Sequence, residues 1–428
     1  MEKKNFDCVI GCFWGDEGKG KVIDLISKDY QYVVRSQGGD NAGHTIKIKD
    51  KTFKLSILPS GALRNKICLI TSGCVINLEK LLNEVLEIEQ KSKKKVKVFV
   101  SLNTHIILPY HKILDEINEK VSGKNKIGTT LRGIGPSYID KFGRIGIRIV
   151  DLFNDEKILK EKIKNSLILK NIIFKHFNYQ EFKVNDIFNY LMGFKDFLLN
   201  KTFNNKEMFE SILKSNKKCL FEGAQGTMLC IENGTYPYVT SSSPTSLSIP
   251  LNSTISHKNI GKIIGITKIY CSRVGNGFMP TIIKPEKIDL KKIKLLGNEF
   301  GTVTGREREI GWLDLVILKY SVELNQINML SLMHLDVFSH LNIIKLCVGY
   351  HCNGKILKKY PQNYEDFLKC VPIYKTFKGW NLDISNIKKY QDLPKNCQKI
   401  IEYIEKYVNC KIKILSVGAA RKKTIYKD

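Results

Sequence analysis

The sequence predicts an α/β fold, with a large mostly parallel central β-sheet and surrounding helices and loops. The first observation is an apolar run from Phe6 that leads into a glycine- and charge-rich loop and then into the helical pattern 22–26. The second is the strand-like segment 32–35, which is also followed by a glycine-rich turn. Loops that follow parallel strands emerge at the same carboxyl edge of a sheet, where open α/β sheets bind ligands. We therefore expect a ligand site along that edge.

The chain is 428 residues long, and no linker, low-complexity stretch or internal repeat divides it. We expect a single domain over 1–428, with a mostly helical region at about 151–217 inside it. Hydrophobic residues make up 43% of the sequence, which is ample for a core. No apolar run is long enough to cross a bilayer, and the first residues lead straight into the first predicted strand. These two features predict a cytoplasmic protein.

The formal net charge of +27 is compatible with nucleic acid, an anionic surface or small polyanionic substrates. The lysines are scattered, and the Lys-rich stretch 91–97 has no interleaved aromatic residues. No nucleic-acid-binding module is recognisable, so neither nucleic acid nor a membrane is the expected partner. The 12 cysteines include no Cys-x2-Cys pair, and several lie in apolar strand-like runs. This usage predicts reduced thiols and neither disulfides nor zinc.

The loop after the first predicted strand has the composition of a phosphate-binding loop. Its glycines and lysines are Gly15, Gly18, Lys19, Gly20 and Lys21. The glycines let backbone amides point at one anion, and the lysines add positive charge. The pattern Gly-x4-Gly-Lys matches the start of a P-loop, but the next residue is Val22, where a P-loop carries a hydroxyl. The loop is therefore P-loop-like without being an ordinary P-loop.

Asp16 lies inside this loop and is the first candidate catalytic residue. A carboxylate beside bound phosphates is repelled unless it holds a metal or receives a proton. Two other interpretations stay open: a solvated turn in which Asp16 and Glu17 have no chemical role, and a P-loop-type GTPase switch.

A second candidate, His44, follows the predicted strand 32–35. A histidine in a loop at the sheet edge can donate a proton or a hydrogen bond to an oxygen that gains charge. Such a histidine is often only structural, but Asn41, Gly43 and Thr45 around it favour a catalytic role.

The two segments Trp14–Lys21 and Asn41–Thr45 together resemble the adenylosuccinate synthetase family. The resemblance implies a ligase that makes adenylosuccinate from IMP and L-aspartate, the first committed step from IMP to AMP. It also implies that GTP is hydrolysed to GDP and phosphate through a 6-phosphoryl-IMP intermediate. The implied cofactor is one Mg²⁺ per subunit, held by Asp16 and Gly43. Asp16 would remove the N1 proton of IMP, and His44 would donate to the transferred phosphoryl group.

The segment 128–144 combines hydroxyls and an arginine with glycines, which suits a phosphate monoester but also suits ordinary turns. It matches the family, in which it binds the phosphate of IMP. The resemblance gives Thr130 to IMP of its own subunit, and Arg144 to IMP of the partner subunit. A homodimer is thereby implied.

Two further segments match the family, although either could be an ordinary surface loop. The first, 222–244, gives Gln225 and Thr240 to IMP. The second, 297–314, contains loop arginines that can clamp a carboxylate. The resemblance assigns L-aspartate to Thr302, Val303, Thr304, Gly305, Arg306 and Arg308. Arg306 would also lie near IMP, and Glu309 departs from the arginine-rich pattern of the family.

The segments 331–336 and 411–421 resemble the parts of the family that read guanine. Asp336 can accept hydrogen bonds from the N1–H and amino group of guanine. His334 stands where the family has a lysine. The resemblance gives GTP the residues Gly15, Asp16, Glu17, Gly18, Lys19, Gly20, Lys21, Gly43, His44, Thr45, Arg308, His334, Leu335, Asp336, Ser416, Val417 and Gly418. It gives IMP the residues Asp16, Lys19, Asn41, His44, Thr130, Arg144, Gln225, Thr240 and Arg306.

Overall fold

A computed structural model gives the fold and describes residues 4–48, 51–284, 289–300, 305 and 307–427. The strands in these residues are β1 (Phe6–Gly11), β2 (Tyr32–Arg35), β3 (His44–Ile48), β4 (Lys51–Leu55), β5 (Ile67–Ile70), β6 (Val75–Ile76), β7 (Val98–Ser101), β8 (His105–Ile106), β9 (Thr202–Phe203), β10 (Cys219–Glu222), β11 (Ile260–Lys268), β12 (Tyr270–Arg273), β13 (Glu309–Asp314), β14 (Met329–Met333), β15 (Ile343–Cys352), β16 (Lys355–Leu357), β17 (Val371–Lys378), β18 (Ile412–Ser416) and β19 (Thr424–Tyr426). The α-helices are α1 (Lys19–Ile26), α2 (Leu78–Ser92), α3 (Pro109–Ser122), α4 (Ile134–Phe142), α5 (Glu156–His176), α6 (Val184–Met192), α7 (Lys195–Leu198), α8 (Asn205–Lys214), α9 (Ser248–Ser253), α10 (Leu290–Gly297), α11 (Leu315–Asn325), α12 (Tyr364–Leu368) and α13 (Lys395–Val408).

Within the described residues, ten strands form the central sheet in the order β19, β18, β14, β11, β1, β10, β2, β5, β7, β9. All neighbouring pairs are parallel except β18 with β19 at one edge. Strands such as β2 and β10 are buried along their whole length, which is why their sequences are nearly continuous apolar runs. The prediction of a large mostly parallel sheet with surrounding helices is confirmed.

The sequence located several of these elements closely. The segment 32–35 is β2, and the apolar run 219–221 lies in β10. The apolar residues of 77–94 recur at helical spacing and form one face of α2, whose first turn is capped by Asn77; the Asn77 side chain accepts from Lys80 N at 3.1 Å. The first helix begins earlier than its apolar pattern, at Lys19, because Gly18 ends the preceding loop with φ +96°.

A smaller sheet contains β12, β13, β15 and β16 in that order, with β17 paired to β15. The main hydrophobic core contains buried residues of both sheets together with those of α11 and α13. A second core lies beside the other half of the central sheet and receives the inner faces of α2, α3, α5 and α6. The region 151–217 contains α5 to α8, and its short strand β9 joins the central sheet beside β7.

None of the helices in the described part of the chain has both the length and the apolar character needed to cross a membrane.

Candidate active site

A cavity of about 580 Å³ opens where the carboxyl ends of the parallel strands meet. It lies beside the loops that follow β1, β2, β10, β14 and β18, the edge at which α/β sheets bind ligands. Most of the predicted site residues line it: Gly15, Asp16, Gly18, Lys19, Gly20, Lys21, Asn41, Gly43, His44, Thr45, Thr130, Gln225, Thr240, Arg308, His334, Asp336, Ser416 and Gly418. Residues more than 400 positions apart in the chain therefore line the same cavity.

The loop after β1 is held from inside by Glu17, which is 1% exposed. Its carboxylate accepts from the amides of Phe13 at 3.0 Å and Gly15 at 2.9 Å, and from Lys19 Nζ at 2.6 Å. Gly15, Asp16 and Gly18 all adopt positive φ. This sharply curled backbone requires glycine at most positions, and it turns Asp16 toward the cavity.

Lys21 joins this loop to the segment after β18. Its Nζ donates to Ser416 Oγ and to Gly418 O, both at 2.7 Å. Burial lowers the pKa of Lys21 to about 8, although the nearby Asp336 carboxylate opposes that shift. Lys21 thus links two of the segments predicted to contact GTP, 15–21 and 416–418.

His44 is oriented by a carboxylate that is itself fixed. His44 Nδ1 hydrogen-bonds Glu222 Oε1, and the side chain of Glu222 is fully buried. Glu222 also accepts from Ser60 Oγ at 2.8 Å and from Ser60 N at 2.7 Å. Burial would raise the pKa of Glu222, but His44, Arg35 and Ser60 together lower it. Because Nδ1 is engaged by this carboxylate, His44 Nε2, which has no partner among the described residues, is left free at the cavity.

Asp16 is held by a different kind of contact. Arg308 Nη2 lies 2.7 Å from Asp16 Oδ2, and Arg308 Nη1 lies 2.9 Å from Glu299 Oε2. Arg308 is 7% exposed, whereas the side chain of Asp16 is 29% exposed. Burial opposes the charge of Arg308, but Asp16 and Glu299 raise its pKa. The arginine bridges two carboxylates at the cavity, the partly exposed Asp16 and the fully buried Glu299.

Three residues predicted for IMP form a connected set. Gln225 Nε2 donates to Asn41 Oδ1 at 3.0 Å, and Asn41 Nδ2 donates to Thr240 Oγ1 at 3.4 Å. Polar side chains that bond one another in this way keep fixed orientations. Amide and hydroxyl groups of this kind suit a purine or a ribose.

The loop that contains Thr130 is supported by Asp115 of α3, a residue that the sequence did not single out. Asp115 accepts from Thr129 Oγ1 and from Gly133 N, both at 2.9 Å. Gly133 has φ +74°, and an added Cβ would lie 2.8 Å from the backbone of His111. A larger residue cannot fit there. Asp115 and the close packing at Gly133 therefore hold this loop beside the cavity.

In the segment predicted to read guanine, Asp336 Oδ1 is buried and has no partner among the described residues. His334 adopts φ +61°, and its ring meets the edge of Tyr270 at 6.0 Å between centroids. Burial and the neighbouring Lys268 lower the pKa of His334 to about 4, so the imidazole is neutral near pH 7.

Several predicted residues lie elsewhere. The described part of the cavity lining does not include Glu17, Leu335, Val417, Gly305 or Arg144. The side chain of Glu17 faces the protein interior, and Leu335 and Val417 are core residues. Gly305 is exposed, and Arg144 follows α4 with φ +62°. The remaining predictions, Thr302, Val303, Thr304 and Arg306, lie outside the described residues.

Asp16 and Gly43 line the same cavity and offer a carboxylate oxygen and a carbonyl oxygen. Mg²⁺ prefers oxygen ligands and usually combines one or two protein groups with waters and substrate phosphates. The donor set fits that mode of binding. In the described residues, no group of three or more His, Cys, Asp or Glu side chains is arranged to hold a metal ion. A site made wholly of such side chains is therefore not indicated in those residues.

Comparison with known proteins identifies the family. Residues 8–425 match the family model described as adenylosuccinate synthetase. The chain is 42% identical over 419 residues to the adenylosuccinate synthetase of Desulforamulus reducens, with 97% of each chain covered. It is 44% identical over 421 residues to that of Borrelia recurrentis, covering 98% of this chain and 97% of the relative.

The fully ligated adenylosuccinate synthetase from Plasmodium falciparum has the same fold, with a TM-score of 0.92. Its sequence is 37% identical, and the match covers 99% of this chain and 100% of that one. A P-loop-type GTPase switch is not favoured, because the family model spans nearly the whole chain and Val22 is fully buried. The chain belongs to the adenylosuccinate synthetase family, the ligases that join IMP to L-aspartate in purine nucleotide biosynthesis.

Proposed function

We propose that this chain couples the hydrolysis of GTP to GDP and phosphate to the joining of IMP and L-aspartate, through 6-phosphoryl-IMP. The 6-oxygen of IMP is a poor leaving group, so it must become a phosphate ester before an amine can displace it. One observation carries the proposal: Asp16 and His44 line one cavity together with most of the residues predicted for IMP and GTP. The amine of L-aspartate then displaces phosphate at C6.

Asp16 is the proposed base that removes the N1 proton of IMP, which makes the 6-oxygen nucleophilic toward the γ-phosphate. Its partial exposure at the cavity supports this role, since a base must reach its substrate. The contact with Arg308 keeps the carboxylate paired until a substrate arrives. Arg308 then becomes available to the nucleotides or to the carboxylate of L-aspartate.

His44 is the proposed group that donates to charge building on the transferred phosphoryl group. Its free Nε2 supports this role, because Glu222 holds Nδ1 and leaves Nε2 at the cavity. A donor fixed in this way needs no reorganisation as the charge develops.

GTP and IMP would occupy different parts of the cavity. The GTP phosphates would lie on the 15–21 loop, where the N-terminus of α1 and Lys19 favour anions. Guanine would lie against His334, Asp336 and the 416–418 segment, and the unpartnered Oδ1 of Asp336 supports this placement. IMP would contact Thr130 and the connected set Asn41, Gln225 and Thr240. L-aspartate would bind Thr302, Val303, Thr304, Gly305, Arg306 and Arg308, an assignment that rests on the family resemblance.

One Mg²⁺ per subunit would be held by Asp16 and Gly43, and its charge would neutralise the phosphates of GTP. Lys19 lies in the same wall and would add to that neutralisation.

We also propose a homodimer in which Arg144 completes the IMP site of the partner subunit. Exposed apolar side chains near Arg144 support this arrangement: Ile139 is 65% exposed and Phe142 is 76% exposed. Leu251 of α9 is 83% exposed. Both α4 and α9 contact Ser72, since Lys141 Nζ donates to Ser72 O and Ser72 Oγ donates to the backbone of α9. Exposed apolar side chains grouped in this way suit an interface between subunits.

The whole chain, 1–428, would act as one domain, with 151–217 as an integral part. Strand β9 completes the edge of the central sheet, and α5 and α6 pack into the second core. A cytoplasmic location suits an enzyme that draws on IMP, GTP and L-aspartate.

The test is an absorbance assay of adenylosuccinate formation with IMP, GTP, Mg²⁺ and L-aspartate, in which each component is omitted in turn. Product should require all four and should be lost in Asp16→Asn. The matched control is Asp29→Asn, which changes an exposed aspartate near the end of α1. Turnover of GTP without IMP and L-aspartate would instead support a GTPase, and absence of product from the unmodified protein would refute the proposal.

A further inference from the structure

We propose that Glu299 is a positioning residue that acts through Arg308 to hold Asp16 in its place at the cavity. The inference rests on the proposed function of Asp16. Nothing in the sequence pattern assigns a role to Glu299, although Arg308 is a predicted site residue. The role follows from the contacts on each side of the Glu299 carboxylate.

On one side, Glu299 fixes Arg308 at two points. Its Oε2 lies 2.9 Å from Arg308 Nη1, and its carbonyl oxygen accepts from Arg308 N at 3.0 Å. Arg308 Nη1 also donates to Asn298 O at 3.4 Å. The remaining terminal nitrogen, Nη2, reaches Asp16 Oδ2 at 2.7 Å. The planar guanidinium thus presents one edge to Glu299 and directs the rest at Asp16.

On the other side, Glu299 is anchored by groups that do not line the cavity. Its Oε1 accepts from Lys268 Nζ at 2.8 Å and from the hydroxyl of Tyr270. Both are fully buried, and Glu299 itself is 0% exposed. Because both carboxylate oxygens are engaged, the side chain has little freedom to move, and this restraint passes to Arg308.

The charges of this cluster balance as a set. Two carboxylates, Asp16 and Glu299, face two cations, Lys268 and Arg308. Burial would raise the pKa of Glu299, but Lys268, Arg308 and His334 lower it to about 2. Removing the charge of Glu299 takes away the carboxylate that Lys268 and Arg308 share. Arg308 would then lose its anchor, and its contact with Asp16 would loosen.

The chain offers a matched control in the same segment. Glu307 is also a glutamate next to Arg308, but it is exposed and pairs with Lys294 at 2.6 Å. Its replacement removes the same charge from the same stretch of chain. Glu307→Gln should therefore leave the kinetics and the Arg308 contact unchanged.

The experiment is a double-mutant cycle of Glu299→Gln and Arg308→Ala, followed by kcat/KM in the four-component assay. Glu299→Gln should reduce kcat/KM by about 30-fold in the unmodified background, and by less than about threefold when Arg308 is already alanine. Equal losses in both backgrounds would mean that Glu299 does not act through Arg308. Melting temperatures identify a loss caused by unfolding. If Glu299→Gln does not fold, Glu299→Asp replaces it in the double-mutant cycle, because the aspartate keeps the negative charge but has a side chain one methylene shorter.

A second measurement is independent of turnover. Crystal structures of the unmodified protein and of Glu307→Gln should show the contact between Arg308 Nη2 and Asp16 Oδ2. The crystal structure of Glu299→Gln should lack that contact. Retention of that contact in Glu299→Gln would overturn the inference. A protein that forms no adenylosuccinate but shows this structural pattern would refute the proposed function and leave the positioning role standing.

Discussion

His44 and Asp16 line the same cavity, but the structure holds them in opposite ways. His44 contacts the buried carboxylate of Glu222 directly, and Glu222 is fixed by the backbone and side chain of Ser60. Asp16 lies in a loop of positive φ, and in the described part of the chain its carboxylate is held through Arg308. The difference teaches that the imidazole is oriented before any substrate binds, whereas the carboxylate is paired with a group that a substrate can displace.

The largest expected effect is on the His44 side of this comparison. His44→Asn should lower kcat by about 10²–10⁴-fold, because a positioned proton donor is lost. The KM for IMP should change little, since the neighbouring Asn41 and Gln225 remain. Initial-rate kinetics measure both quantities, and His351→Asn, which changes an exposed histidine of β15, is the control. A small loss of kcat with a large rise in the KM for IMP would mean that His44 contributes to binding. The conclusion that it is a pre-oriented proton donor would then be wrong.

The second prediction concerns Arg144, which is proposed to act in the site that contains Asp16 of the partner subunit. Arg144→Leu and Asp16→Asn should each be nearly inactive alone. If Arg144 acts in the partner's site, mixed dimers of the two variants contain one site with both residues intact. Random exchange of subunits should then restore activity to about a quarter of the unmodified level.

The control for that experiment is the mixture of each variant with itself, which should stay inactive. Light scattering confirms that the variants remain dimers. Mixed dimers that show no recovery, although they form, would mean that Arg144 and Asp16 serve the same subunit's site.

The sequence predicted the strands and their loops because apolar runs and glycines are local signals. It also named Asp16 and His44, which stand in short motifs. It did not identify the carboxylates behind them, because those roles depend on contacts between distant segments: Glu222 is 178 residues from His44. Glu222 did carry a weak signal, a charged residue at the end of a buried strand. Asp115 shows no such signal, since one acidic residue on a helix is common.

Asp314 is a buried carboxylate that can be compared with Glu222 and Glu299. Its replacement has the smallest expected effect on activity, and its effect is measured as a change in stability. Glu222 and Glu299 have basic partners, whereas Asp314 accepts from neutral groups, among them Tyr350 Oη at 2.6 Å and the amides of Val316 and Ile317 in the first turn of α11. Burial therefore raises the pKa of Asp314 from 3.8 to about 6. Its protonated form stabilises the fold below about pH 4, and that stabilisation is lost as the pH rises through about 6.

Asp314→Asn should remove this dependence. The asparagine Oδ1 can still accept from the amides of α11, and the hydroxyl of Tyr350 can rotate to accept from Nδ2. Urea unfolding should give similar free energies for variant and unmodified protein at pH 4, and a gain of about 3 kcal/mol for the variant at pH 7. Asp392→Asn, which changes an exposed carboxylate, is the control. Equal destabilisation at both pH values would mean that Asp314 contributes through hydrogen bonds alone, and that a buried carboxylate in this protein does not need a cation.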